Sequence, residues 1–340
     1  MDRARRAHRA ARGCRAEGPP VLTTLFCSAA ALEAYGDDWR AIAPALDFLV
    51  LPDDRHLEEH EMATIDLAVF SADLWREQRG PSFMKVLLQA PNVQWLHMFS
   101  AGLDNPVFAM LGERGITVTH SAGSSAVPIA HTVVMHLIAM CRDARPLSIA
   151  QSNHEWSNRG TLDVEGRRLG IVGLGAIGSE VARLAAHFGM HVIGVRRAPT
   201  GDEPCEAWSV DRLHELLPRI DDLVLTAPLT DDTRGIIGDR ELDLLPVGAH
   251  VVNVGRGELV DEPALVRALL DGRVGAAALD VFAIEPLPAD SPLWDMPNVI
   301  VTPHSAGTTP LAAQRAAEIF LDNLGRFLRA ERLRNIGFGG

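Results

Sequence analysis

The chain has 340 residues, 47% of them hydrophobic and 22% charged, with a formal net charge of −12. That length allows two domains with sizeable cores, and no apolar run reaches the ~18 residues a membrane span needs. A net-acidic chain is a poor candidate for gripping nucleic acid by its phosphates, so the expected partners are small molecules, with no nucleic acid and no membrane.

The first twenty residues, MDRARRAHRAARGCRAEGPP, hold six arginines and two acids and no apolar stretch. They lack the features of a secretory signal or a Ser-rich transit peptide and read as a disordered extension. From residue 21 short apolar runs alternate with helical stretches. VLTTLFC (21–27), DFLVL (47–51), IDLAVF (65–70) and VQWLHMF (93–99) read as strands, with helices between them. This alternation predicts a parallel sheet covered on both faces. Residues 126–146 predict a helix that ends before Pro146. It is apolar on every side, which places it between domains or at a subunit interface.

A second alternation follows. RRLGIVGLG, HVIGV, DLVLTAP, AHVVNVG, GAAALDVF and NVIVTPH read as six parallel strands separated by helices, the number expected for a full dinucleotide-binding sheet. The last helix, 310–330, has no strand after it and is free to cross back onto the first unit. The four cysteines are scattered without metal-ligand spacing, which fits reduced thiols in a cytoplasmic protein. One lysine, Lys85, stands against 31 arginines, so any phosphate clamp here uses arginine.

GLGAIG (173–178) fits the G-x-G-x-x-G pattern between an apolar strand and an amphipathic helix, the context that dinucleotide binding requires. Gly173 permits the tight turn, Gly175 lets a pyrophosphate approach the backbone, and Gly178 lets helix and strand pack closely. The helix N-terminus offers unpaired N–H groups and a positive dipole end. An acid that binds the adenosine ribose is expected about twenty residues on. At that point stand Arg196 and Arg197, with no carboxylate until Asp202. An arginine cannot accept from a 2′-hydroxyl and can pair with a 2′-phosphate. The expected cofactor is therefore NADP(H), with NAD(H) possible.

Further on, NVGRGELVDEPAL carries Arg256, LDVFAIEPLP carries Asp280 and Glu285, and NVIVTPHSAG carries His304. Each follows an apolar strand, at the end where doubly wound sheets bind ligands. GLGAIG and these three segments, in this order, resemble the D-isomer-specific 2-hydroxyacid dehydrogenases, and the resemblance extends over about residues 21–335.

The resemblance implies two doubly wound parallel-sheet α/β domains, a Rossmann cofactor domain inserted in a flavodoxin-like substrate domain. Residues 21–120 plus 305–335 would form the substrate domain and 121–304 the dinucleotide-binding domain, with the active site in a cleft that closes on substrate. It implies that Arg256, Glu285 and His304 are catalytic. It further implies that Ala101 and Gly102, in FSAGLDN, offer backbone amides to the substrate carboxylate, with no side chain at Gly102 to block its amide. Asp280 would meet the nicotinamide carboxamide, and Ala176, Ile177, Pro228, Val254 and Gly255 would line the cofactor. A homodimer built on the cofactor domains is also implied.

The chemistry suits these residue types. Arg256 can hold a carboxylate and a ketone oxygen. His304 is the acid poised near neutral pH to protonate the oxygen once hydride has reached the carbonyl carbon. Glu285 would favour the imidazolium and orient the ring. The expected reaction is reduction of a small 2-oxo acid, glyoxylate or hydroxypyruvate, to the D-2-hydroxy acid. His131 stands where many members of the family carry Glu, and reads as a satisfied core histidine. The chain ends soon after the last helix, which implies no C-terminal regulatory domain of the long phosphoglycerate dehydrogenase kind, and Glu285 argues against formate as substrate. Two other readings are a nucleotide-sensing corepressor-like protein, distinguished by absent turnover, and a phosphite dehydrogenase-like enzyme, distinguished by supplying phosphite.

Overall fold

The computed structural model describes residues 23–339; the N-terminal extension read at 1–20 lies outside them. The chain divides into two compact units. One contains the chain through Phe99, Pro106–Thr119 and the residues from Phe320 onward; the other contains Ser100–Asn105 and His120–Ile319. Residues 100–105, 120 and 305–319, which the sequence reading assigns to the substrate domain, fall in the second unit.

In the first unit, β1 (Thr23–Cys27), β2 (Leu46–Val50), β3 (Ile65–Phe70), β4 (Trp95–Met98) and β5 (Thr117–His120) lie in the order 2-1-3-4-5, the flavodoxin-like arrangement. The strands TTLFC and IDLAVF are largely buried on both faces, as strands covered by helices on both sides must be. β5 escaped the sequence reading, since TVTH has a single apolar side chain and forms no apolar run.

The dinucleotide-type unit has seven strands: β6 (Arg168–Val172), β7 (His191–Arg196), β8 (Glu206–Ser209), β9 (Asp222–Leu225), β10 (Ala249–Asn253), β11 (Val274–Leu279) and β12 (Val299–Val301). They run in the order 12-11-10-9-6-7-8, all parallel. The six strands expected were one too few. β8 is a four-residue edge strand, EAWS, with one fully buried position. The chain order reverses between β6 and β9, so the ligand crevice belongs at their carboxyl ends.

The apolar helix is Ala126–Cys141. It stops where Asp143 turns into left-handed backbone at φ 52°, and a second helix, Ala144–Ser152, takes Pro146 in its first turn, where a missing N–H costs nothing. Ala130, Val133 and Leu137 pack against Val181, Ala182 and Ala185 of the helix after the glycine loop. The opposite face carries Met135, 54% exposed, so the helix is not buried all round. Among the described residues no helix is long and apolar enough to cross a membrane.

The last helix, Pro310–Leu328, does cross back, and β13 (Ile336–Phe338) then pairs antiparallel with β5 at the edge of the first sheet. Within the first unit the buried ring of Phe320 stacks on Trp95 at 5.4 Å and meets Trp39 edge-on at 5.5 Å. The Trp95 indole N–H donates to Thr119 Oγ1 at 2.7 Å, so this aromatic core hides no unpaired donor on that ring. Removing Phe320 would leave a cavity among rigid rings that cannot collapse. Phe320→Ala is expected to cost about 3–5 kcal/mol, read by urea denaturation, whereas Phe320→Leu is expected to cost substantially less.

Candidate active site

The glycine loop leaves β6 and enters the helix Ala176–His187. Each glycine has a distinct task. Gly173 adopts φ 105°, and a Cβ there would lie 2.6 Å from the Ala227 backbone. A Cβ on Gly178 would lie 2.0 Å from the Gly173 carbonyl oxygen, whereas one on Gly175 would point into open space. The helix has no side-chain cap at Gly175. Amide donors, a positive helix end and an open approach together fit a pyrophosphate. Thr226 Oγ1, from the end of the neighbouring β9, donates to the Gly173 carbonyl at 2.6 Å and steadies the turn. Ala176 is exposed, Ile177 is half-buried, and Pro228 is exposed just beyond β9.

Arg196 closes β7, where the glycine-loop spacing predicts an acid for an adenosine ribose. It is not a free cation. Its Nη1 donates to Glu203 Oε1 at 3.0 Å. The same carboxylate accepts from the backbone N–H groups of Thr200 at 2.7 Å and Gly201 at 2.8 Å, and from the Thr200 hydroxyl. Those hydrogen bonds hold the Glu203 carboxyl down to about 2. The grip is therefore complete above the ordinary glutamate range and is lost as pH falls through about 2. The acid missing from the strand end thus returns from the loop, but its side chain is only 4% exposed and its oxygens are already engaged. It is a poor acceptor for ribose hydroxyls. Arg197, next along, is exposed.

At the far side of the switch point, β10, β11 and β12 deliver Arg256, Asp280 and His304. Buried Asn253 shapes the first turn, accepting from Gly255 N–H at 3.1 Å and donating to the Arg256 carbonyl at 2.8 Å. Val254 is buried below it. Gly257 must be glycine, since a Cβ would lie 1.9 Å from the Phe282 carbonyl carbon. The Arg256 guanidinium donates through Nε to Asp104 Oδ2 and through Nη1 to the Gly255 carbonyl, both at 2.7 Å.

Asp280, 3% exposed, ties the histidine loop. Its carboxylate accepts from Thr302 Oγ1 at 2.6 Å, Ser305 N–H at 2.9 Å and Ala306 N–H at 3.0 Å, and its carbonyl accepts from His304 N–H at 2.8 Å. These bonds hold His304 at φ 49°, a left-handed conformation that a non-glycine residue keeps only when its surroundings impose it. The structure brings His304 and Glu285 together: Nδ1 and Oε2 lie 2.8 Å apart. An ionised carboxylate only accepts, so Nδ1 carries the proton and Nε2 is left to exchange one with a ligand. Glu285 is itself anchored by Phe282 N–H, which donates to Oε1 at 3.0 Å.

The loop with Ala101 and Gly102 lies against Arg256: a Cβ on Gly102 would fall 2.1 Å from Nη2. His131, expected in the core, is exposed. The helix turns position 131 to the same side as Met135, and the buried histidine is His136, which burial makes less basic. Sequence reasoning missed Asp104, Asn253, Glu203 and Thr302. Asp104 stood in a quoted motif, but its partner lies 152 residues away and no local pattern announces the pairing.

A sequence model described as the D-isomer specific 2-hydroxyacid dehydrogenase NAD-binding domain matches residues 134–306. The chain is 36% identical over 248 residues to glyoxylate/hydroxypyruvate reductase B of Yersinia enterocolitica, covering 70% of this chain and 75% of that protein. It is 34% identical over 255 residues to D-3-phosphoglycerate dehydrogenase of Methanocaldococcus jannaschii, of whose length the match spans about half (48%). A solved NADPH-dependent glyoxylate/hydroxypyruvate reductase of Sinorhizobium meliloti, in complex with NADP and sulfate, superimposes with a TM-score of 0.79 at 27% identity, over 93% of this chain and 98% of that one.

Because Gly102 leaves room for the guanidinium, Gly102→Ala is expected to displace Arg256 by about an ångström and to lower kcat/KM by about 10²-fold. Steady-state kinetics check this, with the melting temperature as a control for folding.

Proposed function

Since this chain belongs to the D-isomer-specific 2-hydroxyacid dehydrogenase family, we propose that it reduces a small 2-oxo acid, glyoxylate or hydroxypyruvate, to the D-2-hydroxy acid, with NADPH preferred to NADH. The observation that carries the reading is the oriented His304–Glu285 pair, in one unit with Arg256 and the glycine loop.

Arg256 and the amides of Ala101 and Gly102 hold the substrate carboxylate, and Arg256 also polarises the ketone oxygen. The nicotinamide dinucleotide, when bound along Gly173–Gly178 with Val254, Gly255, Pro228 and Asp280 about it, supplies the hydride to the carbonyl carbon. His304 Nε2 gives its proton to the carbonyl oxygen as charge builds there, and Glu285, at 2.8 Å from Nδ1, keeps the ring in place. In the reverse direction the neutral ring takes the hydroxyl proton.

Three observations support NADPH. Arg196 and Arg197 stand at the carboxyl end of β7, where a dinucleotide fold would carry its ribose-binding acid, and Glu203, which pairs with Arg196, is already engaged by the loop. The similar Sinorhizobium meliloti enzyme is NADPH-dependent. The reading includes a homodimer in the cytoplasm, acting on small molecules and not on nucleic acid.

Turnover of NADPH and NADH against glyoxylate, hydroxypyruvate, pyruvate and bulkier 2-oxo acids tests the proposal; absence of turnover across this panel, with the dinucleotide still bound, overturns it. His304→Ala is expected to lower the reductive kcat by about 10²–10⁴-fold. A reductive kcat unchanged in His304→Ala contradicts the role. Arg197→Ala should weaken NADPH by about tenfold or more, the scale of a charge-assisted hydrogen bond, and leave NADH unchanged.

A further inference from the structure

Arg256 carries the substrate clamp, yet an arginine on a turn has four rotatable side-chain bonds and no reason of its own to aim. The structure holds it at two points. Asp104 Oδ2 accepts from Nε and the Gly255 carbonyl accepts from Nη1, each at 2.7 Å. Two bonds to a planar group fix its plane. Of the five guanidinium N–H donors, three remain, and two of these are on Nη2. Nη2 is the atom that lies over Gly102, where a Cβ would fall 2.1 Å away. Asp104 and Gly102 belong to one short loop, so the acid that aims the arginine and the glycine that receives it move together. The loop is moored in turn within its own unit to Ser121, whose N–H donates to the Ser100 carbonyl at 3.0 Å.

We propose that Asp104 is a positioning residue: it turns Nη2 of Arg256 toward the Ala101–Gly102 amides so that cation and amides form one receptor for a carboxylate. The assignment rests on the proposed 2-oxo acid reading for its substrate. The pair is not a source of stability. Both side chains are partly exposed, 29% for Arg256 and 38% for Asp104, and such pairs contribute about 0–1 kcal/mol. Its effect is geometric, and geometry predicts a split between readouts. A residue that merely supported the fold would lower the melting temperature and disturb both substrates together.

The test compares Asp104→Ala with Asp104→Asn. The alanine removes the acceptor for Nε, whereas the asparagine keeps a carbonyl oxygen in the same place. Asp104→Ala is expected to raise KM for the 2-oxo acid and lower kcat, with kcat/KM down about 10²-fold, while KM for NADPH and the melting temperature stay near wild type. Asp104→Asn should recover most of that loss. A second readout needs no turnover: the rate at which phenylglyoxal modifies Arg256, followed by peptide mass, should rise several-fold in Asp104→Ala as the freed guanidinium swings out. Unchanged kinetics and unchanged labelling in Asp104→Ala overturn the proposal, as does an Asp104→Asn variant as impaired as the alanine. If Asp104→Ala does not fold, Asp104→Ser, too short to reach Nε, carries the same comparison. If the wild type turns over no 2-oxo acid, the substrate reading fails, and the labelling alone still decides the role of Asp104.

Discussion

The candidate site depends on the buried carboxylate of Asp280. It sits at the exit of β11 and gathers the chain leaving β12, taking Thr302 Oγ1 and the amides of Ser305 and Ala306 onto its two oxygens while its carbonyl takes His304 N–H. Without those bonds the left-handed turn at His304 would relax, because a side chain at positive φ is unfavourable on its own. With them the imidazole projects beside Glu285. A buried acid that accepts this many donors is also compensated for its own burial, so one residue meets the cost of its position by ordering the loop that acts.

A second regularity is that three cationic or cation-forming groups of the site each have their own carboxylate. His304 has Glu285, Arg256 has Asp104, and Arg196 has Glu203. These acids come from different places: a loop after β11, a loop after β4, and the loop after β7. In each case the carboxylate takes one edge of its partner and leaves another for a ligand. Long, flexible side chains lose considerable entropy when they are fixed. Fixing them in the protein moves that cost from the binding step to folding, which is the sense in which such a site is preorganised.

The two sheets explain why the pieces meet. Parallel strands joined by right-handed crossovers deliver every strand exit to the same edge. β6, β7, β9, β10, β11 and β12 therefore bring the glycine loop, Arg196, Pro228, Arg256, Asp280 and His304 to one end of one sheet. The seventh strand, β8, lies at the far edge beside β7, and the loop between these two strands carries Glu203 back to Arg196.

Local pattern made much of this legible. Apolar runs of four to seven residues marked most strands, and glycine spacing marked the turn whose φ of 105° and close contacts only glycine tolerates. The residue types of the site could be read for the same reason: an arginine, a glutamate and a histidine after successive strands are chemistry written in single positions. The strands β5 and β8 were not legible, since TVTH and EAWS are at least half polar and contain no extended apolar run. Nor was the exposure of His131, which depends on which side of an apolar helix meets its neighbour. Above all, tertiary structure decided the pairings. Asp104 lies 152 residues from Arg256, and Glu203 reaches Arg196 only because the loop folds back. A sequence states which charges a chain owns; which charge each one faces is set by distances in three dimensions, over which Coulomb energy and hydrogen-bond geometry act.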